Sequence, residues 1–268
     1  MTDRLAGKVA VVTGAGSRGE GVGNGKAAAI LFAREGAKVL CVDNVVERAQ
    51  ETVNIIKSEG GEASVLVADV TRQEDCRSMA LAAVERYGGL HILQNNVGIP
   101  SDQKLEDITD EAWDNVMEVN VKGMVLAAQA IVPHMAASGG GSIINISSIA
   151  GLRAYPPYST AYTTSKAAIV GLTMALAGQL GGRRIRVNAI APGQVFTPLV
   201  EYRIGEDGRR RRAKSGLIKD EGNAWDIAWG SVYLASDEAR WVNGQVLVID
   251  AGLTITLPSM DYETQQNP

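Results

Sequence analysis

The chain has 268 residues, 46% hydrophobic and 21% charged, with a formal net charge of −4. A chain of this length and make-up can bury a sizeable core without disulfides or metal, and its mild acidity gives no general attraction to nucleic acid or to an acidic membrane surface. Two cysteines, two histidines apart from any partner at ligand spacing (His91 and His134), and apolar stretches such as 124–132 that fall short of a bilayer span argue against a disulfide scaffold, a metal site and a membrane protein.

Cys41 reads as core filler in a strand and Cys76 as a surface thiol on a polar helix. The chain opens Met-Thr-Asp-Arg with no apolar signal region, so a cytoplasmic location is expected.

Short β-branched runs alternate with amphipathic segments. A strand at 8–13 leads through Thr13-Gly14-Ala15-Gly16-Ser17-Arg18-Gly19-Glu20-Gly21-Val22-Gly23 into a helix at 26–35. A strand at 38–42 ends beside Asp43 and precedes a helix at 45–58; a strand at 63–68 and a helix at 72–87 follow. Gly36, Gly60 and Gly88 stand just past these three helices, where a C-terminal glycine belongs. Then come a strand at 90–94, a helix at 110–137, a strand at 142–147, a helix at 160–180, a strand at 184–190, a helix at 224–236 and a strand at 245–249.

This alternation predicts parallel βαβ units, and a continuous apolar strand such as Ile143-Ile144-Asn145-Ile146 predicts burial on both faces. The expected architecture is α/β: a Rossmann-type, doubly wound, seven-stranded parallel sheet with helices on both faces. No repeat or long linker divides the chain, so 1–268 reads as one domain. The polar segment 198–222 breaks the rhythm and reads as a lid. Its run Arg209-Arg210-Arg211-Arg212 reads first as the solvated face of a short surface helix; the alternative is attraction of an anionic substrate or cofactor.

Glycines between a strand and a helix let the backbone approach a pyrophosphate, which the helix N-terminus attracts through its unpaired N–H groups and dipole. A carboxylate at the end of the second strand, Asp43, can accept both hydroxyls of an adenosine ribose and repels a 2′-phosphate. NAD is therefore the expected cofactor. Arg18 argues the other way, because a loop arginine can pair with a 2′-phosphate. Tyr162 and Lys166 stand four apart in a helical pattern, so they share one face. An ammonium beside a phenol favours the phenolate, which is what a general base for an alcohol requires. Ser148, at a strand end, can donate to the substrate oxygen.

With these features the sequence resembles the short-chain dehydrogenase/reductase family, in its compact single-domain branch, from Gly7 to about Leu253. The resemblance rests on Thr13-Gly14 and the following glycines, Asp69-Val70, Asn95-Asn96-Val97-Gly98, Asn120, Ser147-Ser148-Ile149-Ala150-Gly151, Tyr162-Thr163-Thr164-Ser165-Lys166 and Pro192-Gly193, in that order. It implies hydride transfer between NAD and a secondary alcohol or ketone, with Ser148, Tyr162 and Lys166 catalytic and Asn120 holding a water that links the lysine to solvent.

The resemblance places Gly14, Gly21, Val22, Gly23, Asp43, Asp69, Val70, Asn96, Gly98, Pro192, Gly193, Val195 and Thr197 at the cofactor, with Tyr162 and Lys166. It also implies a homotetramer, which the apolar faces of the helices at 110–137 and 160–180 would serve.

The chain departs from the family pattern in three places. Its glycine loop reads as three residues longer, with Gly21 and Gly23 as the preferred contacting pair and Gly19 with Gly21 as the other. Valine stands at Val97 for alanine. One extra residue separates Ser148 from Tyr162, where Tyr155 and Tyr158, with Gln194, suggest a partly aromatic pocket. Two other readings remain open: an NADP-dependent reductase using Arg18, and a nonenzymatic NAD-binding regulator on the same fold.

Overall fold

The computed structural model describes residues 3–154, 160–201 and 204–255. In chain order the elements are β1 (Val9–Thr13), α1 (Asn24–Arg34), β2 (Lys38–Asp43), α2 (Val46–Ser58), β3 (Ala63–Val67), α3 (Gln73–Tyr87) and β4 (Ile92–Asn95). Next are α4 (Asp110–Met117), α5 (Gly123–Ala137), β5 (Gly141–Ile146), α6 (Thr160–Leu180), β6 (Ile185–Pro192), α7 (Pro198–Glu201), α8 (Glu206–Ala213), α9 (Ala224–Ala235) and β7 (Val246–Ile249). The strands form one parallel sheet in the order β3-β2-β1-β4-β5-β6-β7.

The sheet is buried on both sides because successive strand residues point to opposite faces. Ala10, Val12, Ile92 and Ile144 pack with Ile30 and Phe32 of α1 and Ile227 and Val232 of α9. Val9, Val11, Leu93 and Ile143 pack with Met79 of α3, Ile131 and Met135 of α5, and Leu180 of α6. The doubly wound arrangement read from the sequence is the one observed. Strand order reverses between β1 and β4, and the crevice beyond their C-terminal ends is where such sheets bind ligands.

α4 and α5 are one continuous helix interrupted by a five-residue π-helical turn, Glu118–Lys122. By length and composition this 28-residue helix could cross a bilayer. Its apolar side chains Met124, Ala127, Ala128, Ile131, Val132 and Met135 are instead buried, most of them against α3 and the sheet.

Cys76 is a correction. It lies fully buried on the inner face of α3, its thiol donating to the Val70 carbonyl (3.4 Å), and burial pushes it up to about 11. Cys41, in the core as expected, is pushed up to about 12. Neither is a reactive thiolate near neutral pH. His91 is tied to the fold, its Nδ1 accepting from the Val9 amide (3.1 Å).

Candidate active site

A cavity of about 960 Å³ opens along the C-terminal ends of the strands. Thr13, ending β1, donates through Oγ1 to the Gln94 carbonyl (3.2 Å) and accepts from the Asn96 amide (3.1 Å), so the ends of β1 and β4 are pinned together. Asn96 Nδ2 donates to the Gly14 carbonyl (3.1 Å). That same carbonyl touches the first turn of α1: a Cβ added to Gly25 would sit 2.0 Å from Gly14 O. Only glycine lets α1 approach β1 this closely.

The expected glycine pair, Gly21 and Gly23, falls differently on the cavity. Gly14, Gly16, Gly23, Asn24 and Gly25 line the cavity; Gly21 and Val22 do not. Val22 packs against the core, and Gly21 (φ 106°) faces Pro198 of the segment after β6. Gly23 and Gly25 line the cavity, and the residues between Ser17 and Gly23 form a bulge that Ser17 closes by accepting the Gly23 amide at Oγ (2.9 Å). Counting back along α1 from Gly36 would have exposed the shift. Gly23 is the N-cap of α1 and no side chain caps the helix, so its first amides are left for a ligand.

At the end of β2, Asp43 is nearly buried; Oδ2 accepts from the Gly16 amide and Oδ1 from the Val45 amide, both at 3.1 Å. The N-cap of α2 is Val45, so Asp43 is not that helix's cap. The carboxylate is held rigidly at the cavity wall, with Arg18 and Arg48 lining the same end. Asp69 accepts from the amide and hydroxyl of Thr71 (2.9 and 2.8 Å), and Val70 packs against Gly123, where an added Cβ would lie 2.9 Å from Val70 Cγ2.

Ser148, Tyr162 and Lys166 line the opposite wall. Ser148 follows β5 in extended conformation and accepts the Ala150 amide at Oγ (3.2 Å). Lys166 projects from α6 into the interior. Its ammonium lies 5.6 Å from the centroid of the Tyr162 ring and donates to the Ile146 carbonyl (3.0 Å). Burial pushes the lysine down to about 8, so near neutral pH it keeps its charge with little to spare.

Gly151 packs so tightly on this stretch of α6 that an added Cβ would meet the Lys166 carbonyl carbon at 2.5 Å. Ser147 Oγ donates to the Lys166 carbonyl (2.7 Å).

Asn120 is fully buried in the π-helical turn and does not line the cavity. Its Oδ1 accepts the Ile99 amide (2.7 Å), and its Nδ2 donates to the Ile99 carbonyl and to Ser165 Oγ (both 3.0 Å). An added Cβ on Gly98 would lie 3.3 Å from Lys166 Nζ and 3.5 Å from Asn120 Oδ1, so this glycine separates the two side chains. Asn120 therefore shapes the loop behind the lysine.

Pro192, Gly193, Val195 and Thr197 line the cavity after β6, with Gln194 among them, and Asn96, Gly98, Asp69 and Val70 complete the expected set. Tyr155 and Tyr158 lie outside the described residues. The cavity has the size, the uncapped helix start and the anchored carboxylate that an adenine dinucleotide requires.

Comparison with known proteins identifies the family. The family profile described as enoyl-(acyl carrier protein) reductase matches residues 20–254. A 3-oxoacyl-[acyl-carrier-protein] reductase of Thermotoga maritima is 38% identical over 94% of this chain and 100% of its own. Among solved structures, a short-chain dehydrogenase/reductase from Burkholderia xenovorans superposes with a TM-score of 0.90 at 34% identity, covering 95% of this chain and 99% of that one. A 7α-hydroxysteroid dehydrogenase complexed with NADH and 7-oxo glycochenodeoxycholic acid superposes at 0.87 and 33%, covering 94% and 96%. The chain belongs to the short-chain dehydrogenase/reductase family, oxidoreductases that work with a nicotinamide cofactor.

Proposed function

We propose that this chain interconverts a secondary alcohol and its ketone with NAD, using Tyr162 as general acid and base. The observation that supports it most is the buried ammonium of Lys166 beside the Tyr162 ring on the cavity wall that also presents Ser148. The nicotinamide, when bound, accepts or returns the hydride. Lys166 favours the phenolate of Tyr162 by its charge, and the phenolate takes the hydroxyl proton of the alcohol. The Ser148 hydroxyl donates to the substrate oxygen as it becomes a carbonyl. Asn120 positions the Ile99 backbone and the region beside Lys166 Nζ, where a water would connect the lysine to solvent.

Gly14, Gly23, Asn24 and Gly25 would hold the diphosphate, Asp43 the adenosine ribose, Asp69 and Val70 the adenine, and Val195 and Thr197 the nicotinamide side. The fixed carboxylate of Asp43 favours NAD over NADP, in keeping with the NADH in the hydroxysteroid dehydrogenase complex. NADP is the second reading, favoured by Arg18 and Arg48 at the same end of the cavity. Initial rates with both cofactors separate the two, and a preference for NADP overturns the role given to Asp43.

The segment 198–222 serves as the lid of a one-domain enzyme. Exposed Met174 on α6, Val125 on α5 and Trp229 on α9 suit a homotetramer, which a monomer in light scattering would refute. The unpaired Cys41 and Cys76 suit a reducing, cytoplasmic setting.

Replacing Tyr162 by Phe tests the chemistry. Turnover should fall about 10³-fold while NADH binding changes little, and activity within tenfold of the parent sinks the mechanism.

A further inference from the structure

Four successive arginines on α8 face two ways. Arg209 pairs bidentately with Glu221 (both contacts 2.6 Å) and stacks over Phe196 at 3.8 Å; Arg210 pairs with Glu206 and Asp207. Gly208, Arg211 and Arg212 lie on the inner face of the helix, three and four positions apart, and line the cavity together with Ser215. Among the described residues neither Arg211 nor Arg212 has a carboxylate partner. Arg212 donates through Nη2 to the Val195 carbonyl at 3.4 Å, and its Nε is buried without an acceptor.

The cavity's own carboxylates do not neutralise this pair. Glu118 is bound to Lys122 (2.8 Å). Asp43 and Asp69 accept protein amides at the ends of β2 and β3, and β2 lies four strands from β6, beside whose end Arg212 is anchored. At about 4.8 Å per strand that separation is roughly 19 Å, beyond the screening length of about 8 Å.

The loop before the uncapped N-terminus of α1, which suits a diphosphate, meets the segment after β6 where Gly21 faces Pro198, so NADH affinity is the readout that separates a substrate anion from the cofactor's diphosphate. Leu199, Val200 and Ile204 line the same part of the chain with apolar surface. Half-buried Arg212, whose Nε lacks an acceptor, is stabilised by an anionic acceptor, and Arg211, exposed at the cavity rim on the same helix, adds a second guanidinium suited to the planar, two-oxygen geometry of an acid group.

We propose that Arg211 and Arg212 clamp a carboxylate-type anion on the substrate, so that the enzyme acts on a secondary alcohol or ketone bearing an acid at the far end of an apolar body. This rests on the alcohol dehydrogenase reading above, but the clamp can be tested apart from turnover.

The probes are hexanoate and hexanamide, titrated into the enzyme–NADH complex and followed by NADH fluorescence. Hexanoate should bind at least fivefold more tightly than hexanamide to the parent, and within twofold of it to Arg211→Gln/Arg212→Gln. Equal binding by the parent, or a preference that survives in the variant, overturns the proposal. So does a tenfold loss of NADH affinity in the variant, which would make the arginines cofactor ligands. If the double variant fails to fold, the parent comparison and Arg211→Gln alone decide.

Turnover of 5-hydroxyhexanoate against its methyl ester gives the second arm: the acid should lead at least tenfold in kcat/KM, and the double variant should collapse that ratio. Normal hexanoate binding with no turnover of any alcohol would refute the dehydrogenase reading while leaving the clamp in place.

Discussion

The wall that presents Ser148, Tyr162 and Lys166 and the segment that covers the cavity are built in opposite ways. Behind the wall, buried side chains satisfy one another: Asn95 Nδ2 donates to Asn145 Oδ1 (2.9 Å), Asn145 Nδ2 to Thr173 Oγ1 (3.0 Å), and Asn120 Nδ2 to Ser165 Oγ (3.0 Å). Buried networks of this kind fix position because an unmade bond there is expensive. The covering segment carries its ion pairs within itself and at the surface, Arg209 with Glu221 and Arg210 with Glu206 and Asp207, and joins the body through a few bonds such as the Leu217 and Ile218 amides to the Ala251 carbonyl (2.7 and 3.2 Å). The difference separates duties. On the proposed reading, proton transfer, which needs sub-ångström placement, would sit on helices and strands, and substrate recognition on the piece with fewer ties to the body.

The largest test lies where the rigid part meets the inserted loop. Gly25→Ala puts a Cβ 2.0 Å from the Gly14 carbonyl, a backbone atom that cannot step aside. It should cost about 3 kcal/mol or more and lower the melting temperature by roughly 10 °C, with NADH binding lost. Gly21→Ala, in the bulge, carries the strain of its positive φ, about 1–2 kcal/mol, and a close contact with the Pro198 ring (3.3 Å), and should retain NADH binding. Equal effects would restore Gly21 as a cofactor-contacting glycine.

The next test probes what the wall gives up in stability for its chemistry. Because burial holds Lys166 below its unfolded value, the unfolded chain binds the extra proton between about pH 8 and 10.5. That charge is therefore a stability penalty, full below about pH 8 and relieved as pH rises toward 10.5. Lys166→Met should abolish turnover yet stabilise the cofactor-free protein by about 2 kcal/mol at pH 7, the gain shrinking above pH 8. Denaturant melts of both proteins across that range check it, and a destabilised variant at pH 7 contradicts the account.

The smallest expected effect is on the cover. The Arg209 guanidinium holds the Glu221 carboxyl below the usual carboxylate range. Glu221→Ala removes the pair and should leave the melting temperature nearly unchanged while raising KM for the substrate several-fold. A large stability loss would mean that the cover belongs to the rigid part after all.

Much of this was legible beforehand. The strand and helix positions follow from local periodicity, and the helix at 110–137 was expected at its observed limits, although its π-helical turn was not. The polar composition of α3 hides the burial of Cys76: the inner face of the helix is narrow, and Cys76 lies on it beside Met79, Ala80 and Ala83. In the glycine loop the sequence points to Gly21 and Gly23 while Gly23 and Gly25 line the cavity, because a run with glycine at nearly every second position carries no internal register. Asn120 looks like an ordinary helical residue until the turn around it is seen to point its amide at Ile99.

By itself the sequence determined the parallel α/β fold, the helical pairing of Tyr162 with Lys166, and Asp43 at the end of its strand. All are matters of spacing within one or two elements, where a period of two or of 3.6 residues decides which side chains share a face. Only the tertiary structure decided that Gly25 meets Gly14, that Asn120 stands behind the lysine, and which two of four identical arginines border the cavity. Those outcomes depend on distances between residues far apart in the chain and on the rotation of a short helix against its neighbours, and four like residues in a row carry no phase of their own.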